Sequence, residues 1–90
     1  MVEYETLQFT DDFLESYSSR EFSASDRRRI LRALRLLDTN EQHPSLRVHK
    51  LEREMKGQWS ASASDELRIV LERLEGGRKR LIECSRHYQR

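Results

Sequence analysis

Gly76-Gly77, set between "LRIVLERL" and "RKRLIECS", is the feature that most constrains this chain. Adjacent glycines supply the positive φ angles that a tight hairpin needs, and the flanking apolar positions recur every second residue. The stretch therefore predicts two antiparallel strands, Leu67–Leu74 and a return strand to Ser85. Alternation sends Ile69 and Leu71 into a core and leaves Arg68, Val70 and Glu72 on the opposite face. In the return strand Ile82 and Cys84 form the expected core pair. Leu81, Glu83, Ser85 and, if the strand runs on, His87 then share the face of Arg68. Upstream, "WSASA" alternates as a third strand, Trp59–Ala63, and the small residues of 60–64 keep a groove open beside that arginine.

The first half reads differently. "YETLQF" alternates with aromatic ends, which predicts a strand over residues 3–9. Thr10 suits an N-cap, with Asp11 and Asp12 near the positive end of the short helix "DDFLESYSS". Ser25 is the cap candidate for the stronger helix "DRRRILRALRLLDTN". There Ile30, Leu34 and Leu37 share one face with Ala33 beside them, and Arg28, Arg32 and Arg35 occupy the opposite face. Two readings of that arginine row stay open: a solvated basic face, or a docking surface for an acidic partner or phosphate backbone. Pro44 forbids helix continuation, and "LRVHKLE" reads as extended until Gly57. The order is β-α-α-β-β-β: one α+β domain over residues 1–90, with two helices on one face of an antiparallel-rich, four-stranded sheet.

Composition narrows the class. With 36% hydrophobic and 37% charged residues the core must be thin and the surface ionic. A lone cysteine, Cys84, cannot form an internal disulfide, which suits a reducing, cytoplasmic setting. No apolar run reaches signal-peptide or membrane-span length, so no membrane partner is expected. The net charge of +1 hides an asymmetry: residues 1–26 hold seven acids and one base (−6), and residues 27–90 sixteen bases and nine acids (+7). Such polarity suits a polyanionic partner. His43, His49 and His87 lack metal-ligand spacing, no serine has a nucleophile-elbow context, and no glycine-rich loop precedes a helix. No metal and no cofactor are expected.

This element order, together with "HPSLRVHKL", "GQWSASASDELRIVLE", the Gly-Gly hairpin and a last strand ending near a histidine, resembles the RelE/ParE superfamily of toxins from toxin–antitoxin pairs. The likeness spans nearly the whole chain and is sharpest over residues 43–72. It implies a RelE-like fold and a cognate antitoxin whose tail covers part of the basic surface. The activity it implies is metal-independent cleavage of ribosome-bound messenger RNA, in which a ribose 2′-hydroxyl attacks the adjacent phosphate. Arg68 matches the strand arginine of such enzymes and becomes the phosphate clamp. His87 occupies the place of a C-terminal proton-transfer group, a task imidazole chemistry suits. His49 takes a third catalytic position, and Arg47, Lys50, Trp59, Arg86 and Tyr88 become RNA contacts. Two departures stand out: ribonuclease members carry lysines where Trp59–Ala63 has alanine and serine, and others carry an aspartate where this chain has Tyr88. The resemblance therefore also admits a ParE-like, non-catalytic inhibitor of DNA gyrase, or an inactive relative that keeps only antitoxin binding.

Overall fold

A computed structural model describes residues 4–51 and 57–86. The elements are β1 (Leu7–Phe9), α1 (Asp11–Tyr17), α2 (Ala24–Thr39), β2 (His49–Lys50), β3 (Trp59–Ser62), β4 (Leu67–Arg73) and β5 (Lys79–Arg86). The strands form one sheet in the order β1-β5-β4-β3-β2, antiparallel throughout except for the parallel β1–β5 pair. The α+β class, the two helices on one face and the hairpin at Gly76-Gly77 are as expected. The sheet has five strands instead of four, because the extended run after Pro44 contributes β2.

Local chemistry explains each boundary. Thr10 caps α1, its hydroxyl accepting from the Phe13 amide at 3.0 Å. The cap of α2 is Ser23, not Ser25. Ser23 Oγ accepts from the Asp26 amide, and the Asp26 carboxylate accepts from the Ser23 amide, both at 3.0 Å. This reciprocal box is available only at that spacing, and Ser25 has no acid three residues on. The first strand is shorter than 3–9 because the amides of Glu5 and Thr6 donate to the Asp38 carboxylate instead of a neighbouring strand. Pro44 opens a 3-10 turn ending at Leu46, and Arg47 follows at φ 43°, a left-handed turn that aims the chain into β2.

Ile30, Ala33, Leu34 and Leu37 of α2 and Phe13 of α1 pack against Ala61, Leu67, Ile69, Leu71, Leu81 and Cys84 of the sheet. Each large apolar side chain buried here contributes roughly 1.5–3 kcal/mol. One expected facing is wrong. Leu71 pairs with Leu81 while Val70 pairs with Glu83, so Ile82 is an extra residue in β5. This bulge turns Leu81, expected on the Arg68 face, fully into the core, and leaves Ile82 only half-buried beside α1. From the last of the three residues paired with β1 onward, hydroxyls replace a strand partner. Thr10 Oγ1 donates to the Leu81 carbonyl (2.8 Å), and Ser16 Oγ accepts from the Cys84 amide (3.0 Å).

Candidate functional site

The face turned away from the helices carries a cavity of about 290 Å³ lined by His49, Leu51, Ser60, Ser62, Ser64, Asp65, Leu67 and Arg68. Register explains its composition. His49 lies opposite Ser60, Ser62 opposite Arg68, and Arg68 opposite Ser85, so all five side chains emerge on one face. His49 and Arg68 stand two strands and two residues apart, roughly 12 Å between Cα atoms from ideal sheet spacings. The serines between them fill little of that gap, so the floor stays low, with Ser60 itself buried. The sequence pattern correctly anticipates the arginine-bearing groove.

Both flanking side chains are oriented. His49 Nδ1 lies 2.9 Å from the Arg47 carbonyl oxygen. A carbonyl can only accept, so Nδ1 carries the hydrogen, and in the neutral ring the lone pair sits on Nε2. The left-handed backbone of Arg47, which costs about 1–2 kcal/mol, directs the chain at this point. Arg68 Nε donates to Ser85 Oγ at 3.3 Å. That contact uses the inner edge of the guanidinium and leaves the two terminal nitrogens, the pair that can fork onto phosphate oxygens, without a partner among the described residues. At the rim, Arg47 pairs with Asp65 at 3.0 Å in full exposure, a contact worth little and easily exchanged.

The other candidates go elsewhere. Lys50 lies opposite Trp59, on the helix side of the sheet. There the indole packs against the core, with Arg73 4.3 Å and Lys50 5.8 Å from its ring centroid. Arg86 donates to Asp26 at 2.7 Å, to Glu66 at 3.0 Å and to the Glu21 carbonyl at 3.2 Å, tying the end of β5 to the start of α2. Its hydrogen bond to Asp26 raises the guanidinium pKa further. The Asp26 carboxyl is held low, first by the Ser23 amide and then by Arg86 against a desolvation cost. His87 and Tyr88 lie outside the described residues. Among the described residues no three His, Cys, Asp or Glu side chains gather as a metal site. No helix there is long and apolar enough to cross a membrane. Sequence reading misses Ser85 and the Arg47 carbonyl as orienting groups. Strand alternation signals the first; the second requires the actual turn.

No family model and no curated protein matches the sequence. Solved structures do match. The YoeB/ParE toxin from Agrobacterium tumefaciens is similar at 23% identity over 93% of this chain and 100% of that chain, with a TM-score of 0.72. The YoeB-YefM complex from Staphylococcus aureus is similar at 19% identity over 97% and 100%, with a TM-score of 0.70. The toxin-antitoxin complex RelBE2 from Mycobacterium tuberculosis is similar at 19% identity over 96% and 100%, with a TM-score of 0.61. The chain has the fold of these toxin structures, as the RelE/ParE resemblance implied.

Proposed function

We propose that this protein is the toxin of a toxin–antitoxin pair, of the RelE/ParE superfamily, and that its groove cleaves messenger RNA on the ribosome. The observation that carries the reading is one cavity holding a histidine whose Nδ1 is tied to a carbonyl, leaving Nε2 as the basic nitrogen of the neutral ring, and an arginine whose fork has no partner among the described residues. His49 Nε2 takes the proton of a ribose 2′-hydroxyl as its oxygen bonds to the adjacent phosphorus. The bond from phosphorus to the 5′ oxygen breaks, leaving a 2′,3′-cyclic phosphate. Arg68 stabilises the charge that builds on the phosphorane oxygens. His87 is assigned the proton delivered to the leaving 5′ oxygen, with Tyr88 beside it as an RNA contact. Arg47, at the rim, releases Asp65 to take a backbone phosphate. Lys50, Trp59 and Arg86 are not needed in the groove. A cognate antitoxin is the expected partner, and the cytoplasm the expected site of action.

Primer-extension mapping on translating ribosomes tests the reading, with a gyrase supercoiling assay run in parallel. Arg68→Ala should lower cleavage by about 10²- to 10³-fold and His49→Gln by about 10²- to 10⁴-fold, both remaining folded. Folded variants that cut like the parent would remove the roles given to Arg68 and His49, and growth arrest without cleavage, in parent and variants alike, would remove the ribonuclease reading. Inhibition of supercoiling by the same variants would put a gyrase inhibitor in its place.

A further inference from the structure

A second cavity, of about 370 Å³, opens on the face of the sheet opposite the groove, where α2 has ended at Thr39. Trp59, Pro44 and Val48 give it apolar walls, and His43, Arg47 and Arg73 give it donors. Its centre is a stack. Trp59 lies opposite Leu71, and Arg73 follows two residues along on the same face, so its guanidinium rests 4.3 Å from the indole centroid. Glu41 holds it there, accepting from Arg73 Nη1 at 3.1 and 3.2 Å. Glu41 is fixed in turn by the buried Lys79 ammonium at 3.1 Å. Arg73 remains 35% exposed. One face of its planar fork therefore covers the tryptophan while the other meets solvent, and such a plane is a stacking platform for a nucleobase. Beside it, His43 Nδ1 accepts from the Ser45 amide at 3.2 Å, so the neutral ring carries its hydrogen on Nε2, a donor suited to a base carbonyl or ring nitrogen.

The two cavities are neighbours around one edge of the sheet. Consecutive residues divide between them: Val48 lines this one and His49 the groove, Trp59 this one and Ser60 the groove. Among the described residues β2 is the last strand on that side, so no further strand separates the two. Arg47 marks the crossing, lining this cavity while pairing with Asp65 of the groove at 3.0 Å. We propose that this cavity is a base-binding subsite for a flanking nucleotide of the single-stranded RNA held in the groove. The base stacks on Arg73, the strand passes over the β2 edge, and Arg47 takes a phosphate on the way. The inference rests on the reading of the groove as an RNA site.

Trp59 is the chain's one tryptophan, so its indole N–H resonance reports on this cavity and on no other place. The probe is a short 2′-O-methyl oligoribonucleotide, which lacks the 2′ nucleophile and stays whole. Titrated into the full chain at low salt, it should move the indole signal to saturation. Arg73→Lys keeps a charge beside Glu41 and removes the plane. It should bind the probe at least about 5-fold more weakly and lose the indole response, with circular dichroism as the folding check. Arg68→Ala should bind more weakly yet give the parent's indole response at saturation. An indole signal unmoved by the probe would overturn the proposal, as would a folded Arg73→Lys variant that binds and responds like the parent. A mononucleotide that moves the signal at the same concentration as the probe would also overturn it, because the cavity would then serve a free nucleotide. Cleavage mapped on the same preparations keeps the two readings apart. A parent that cleaves messenger without an indole response to the probe loses this subsite alone, and one that gives the response without cleaving keeps the subsite and loses the ribonuclease.

Discussion

Lys79 is the most deeply buried charge among the described side-chain ion pairs, at 4% exposure, and its partner is Glu41 at 3.1 Å. Glu41 also accepts twice from Arg73 Nη1, at 3.1 and 3.2 Å. Glu41→Ala would strand an ammonium whose remaining hydrogen bond among the described residues is to Thr6 Oγ1 at 3.3 Å. Breaking a fully buried pair costs about 3–5 kcal/mol. Glu41 is 31% exposed, so water reaches the vacated position, and the nearby Asp38 carboxylate still attracts the lysine. The expected cost is therefore about 2–3 kcal/mol, against a total stability of roughly 5–13 kcal/mol for a chain of this length. In a domain this small that lowers Tm by roughly 8–24 °C, readable by circular dichroism melts and urea titration. Lys79→Met in the same background removes the stranded charge and should restore at least about 1 kcal/mol. A Glu41→Ala melt within about 3 °C of the parent would refute the reasoning. So would a double variant no more stable than the single one.

Burial alone would raise Asp38, but its hydrogen bonds from Thr6 and Glu5 leave the carboxyl below its usual range. Burial likewise opposes the lowering of Glu41 by Lys79 and Arg73, and loses. Folded values below unfolded ones mean that these acids stabilise the fold fully at neutral pH, and that this contribution disappears as pH falls below about 4 through the folded values. Urea midpoints measured from pH 7 to pH 3 should therefore drop at the acid end, and less so in Asp38→Asn. Ser16→Ala removes the acceptor of the Cys84 amide and should cost about 1–3 kcal/mol by denaturant titration. Gly76→Ala meets no steric neighbour but must hold φ 72°, so a loss of about 1–2 kcal/mol should appear in the same titration. Ser85→Ala frees the inner edge of Arg68. It should lower RNA cleavage several-fold, well short of the loss in Arg68→Ala, and leave stability unchanged.

The legible parts of this fold are those in which a single strand or helix decides the outcome. The alternation of Leu67–Arg73 separates Ile69 and Leu71 from Arg68 without reference to any neighbour, and Thr10 caps α1 through its own hydroxyl. What stays hidden depends on a partner. The bulge at Ile82 exists only relative to β4, so alternation read along β5 alone puts Leu81 on the wrong face. Lys50 and His49 are adjacent, and only the pairing of β2 with β3 decides that the histidine joins Arg68 and the lysine joins Trp59. Arg86 looks like one more free cation until Asp26, Glu66 and the Glu21 carbonyl converge on it from distant positions. The box that starts α2 was readable from Ser23 and Asp26, and the nearer serine obscured it.

The place of β5 has a consequence in time. It lies between β4, its hairpin neighbour, and β1, whose approach is closed by contacts such as Thr6 to Lys79, 73 positions apart. During synthesis β1 and both helices emerge before the strand on which β1 and α1 must rest exists. Closing so long a loop is slow relative to forming a hairpin. The β4–β5 hairpin is therefore the natural nucleus, with the N-terminal third docking afterwards. His49 and Arg68 are brought together by β2, β3 and β4, and Ser85 arrives only with β5, so a nascent chain lacking β5 carries the groove residues without the contact that orients Arg68.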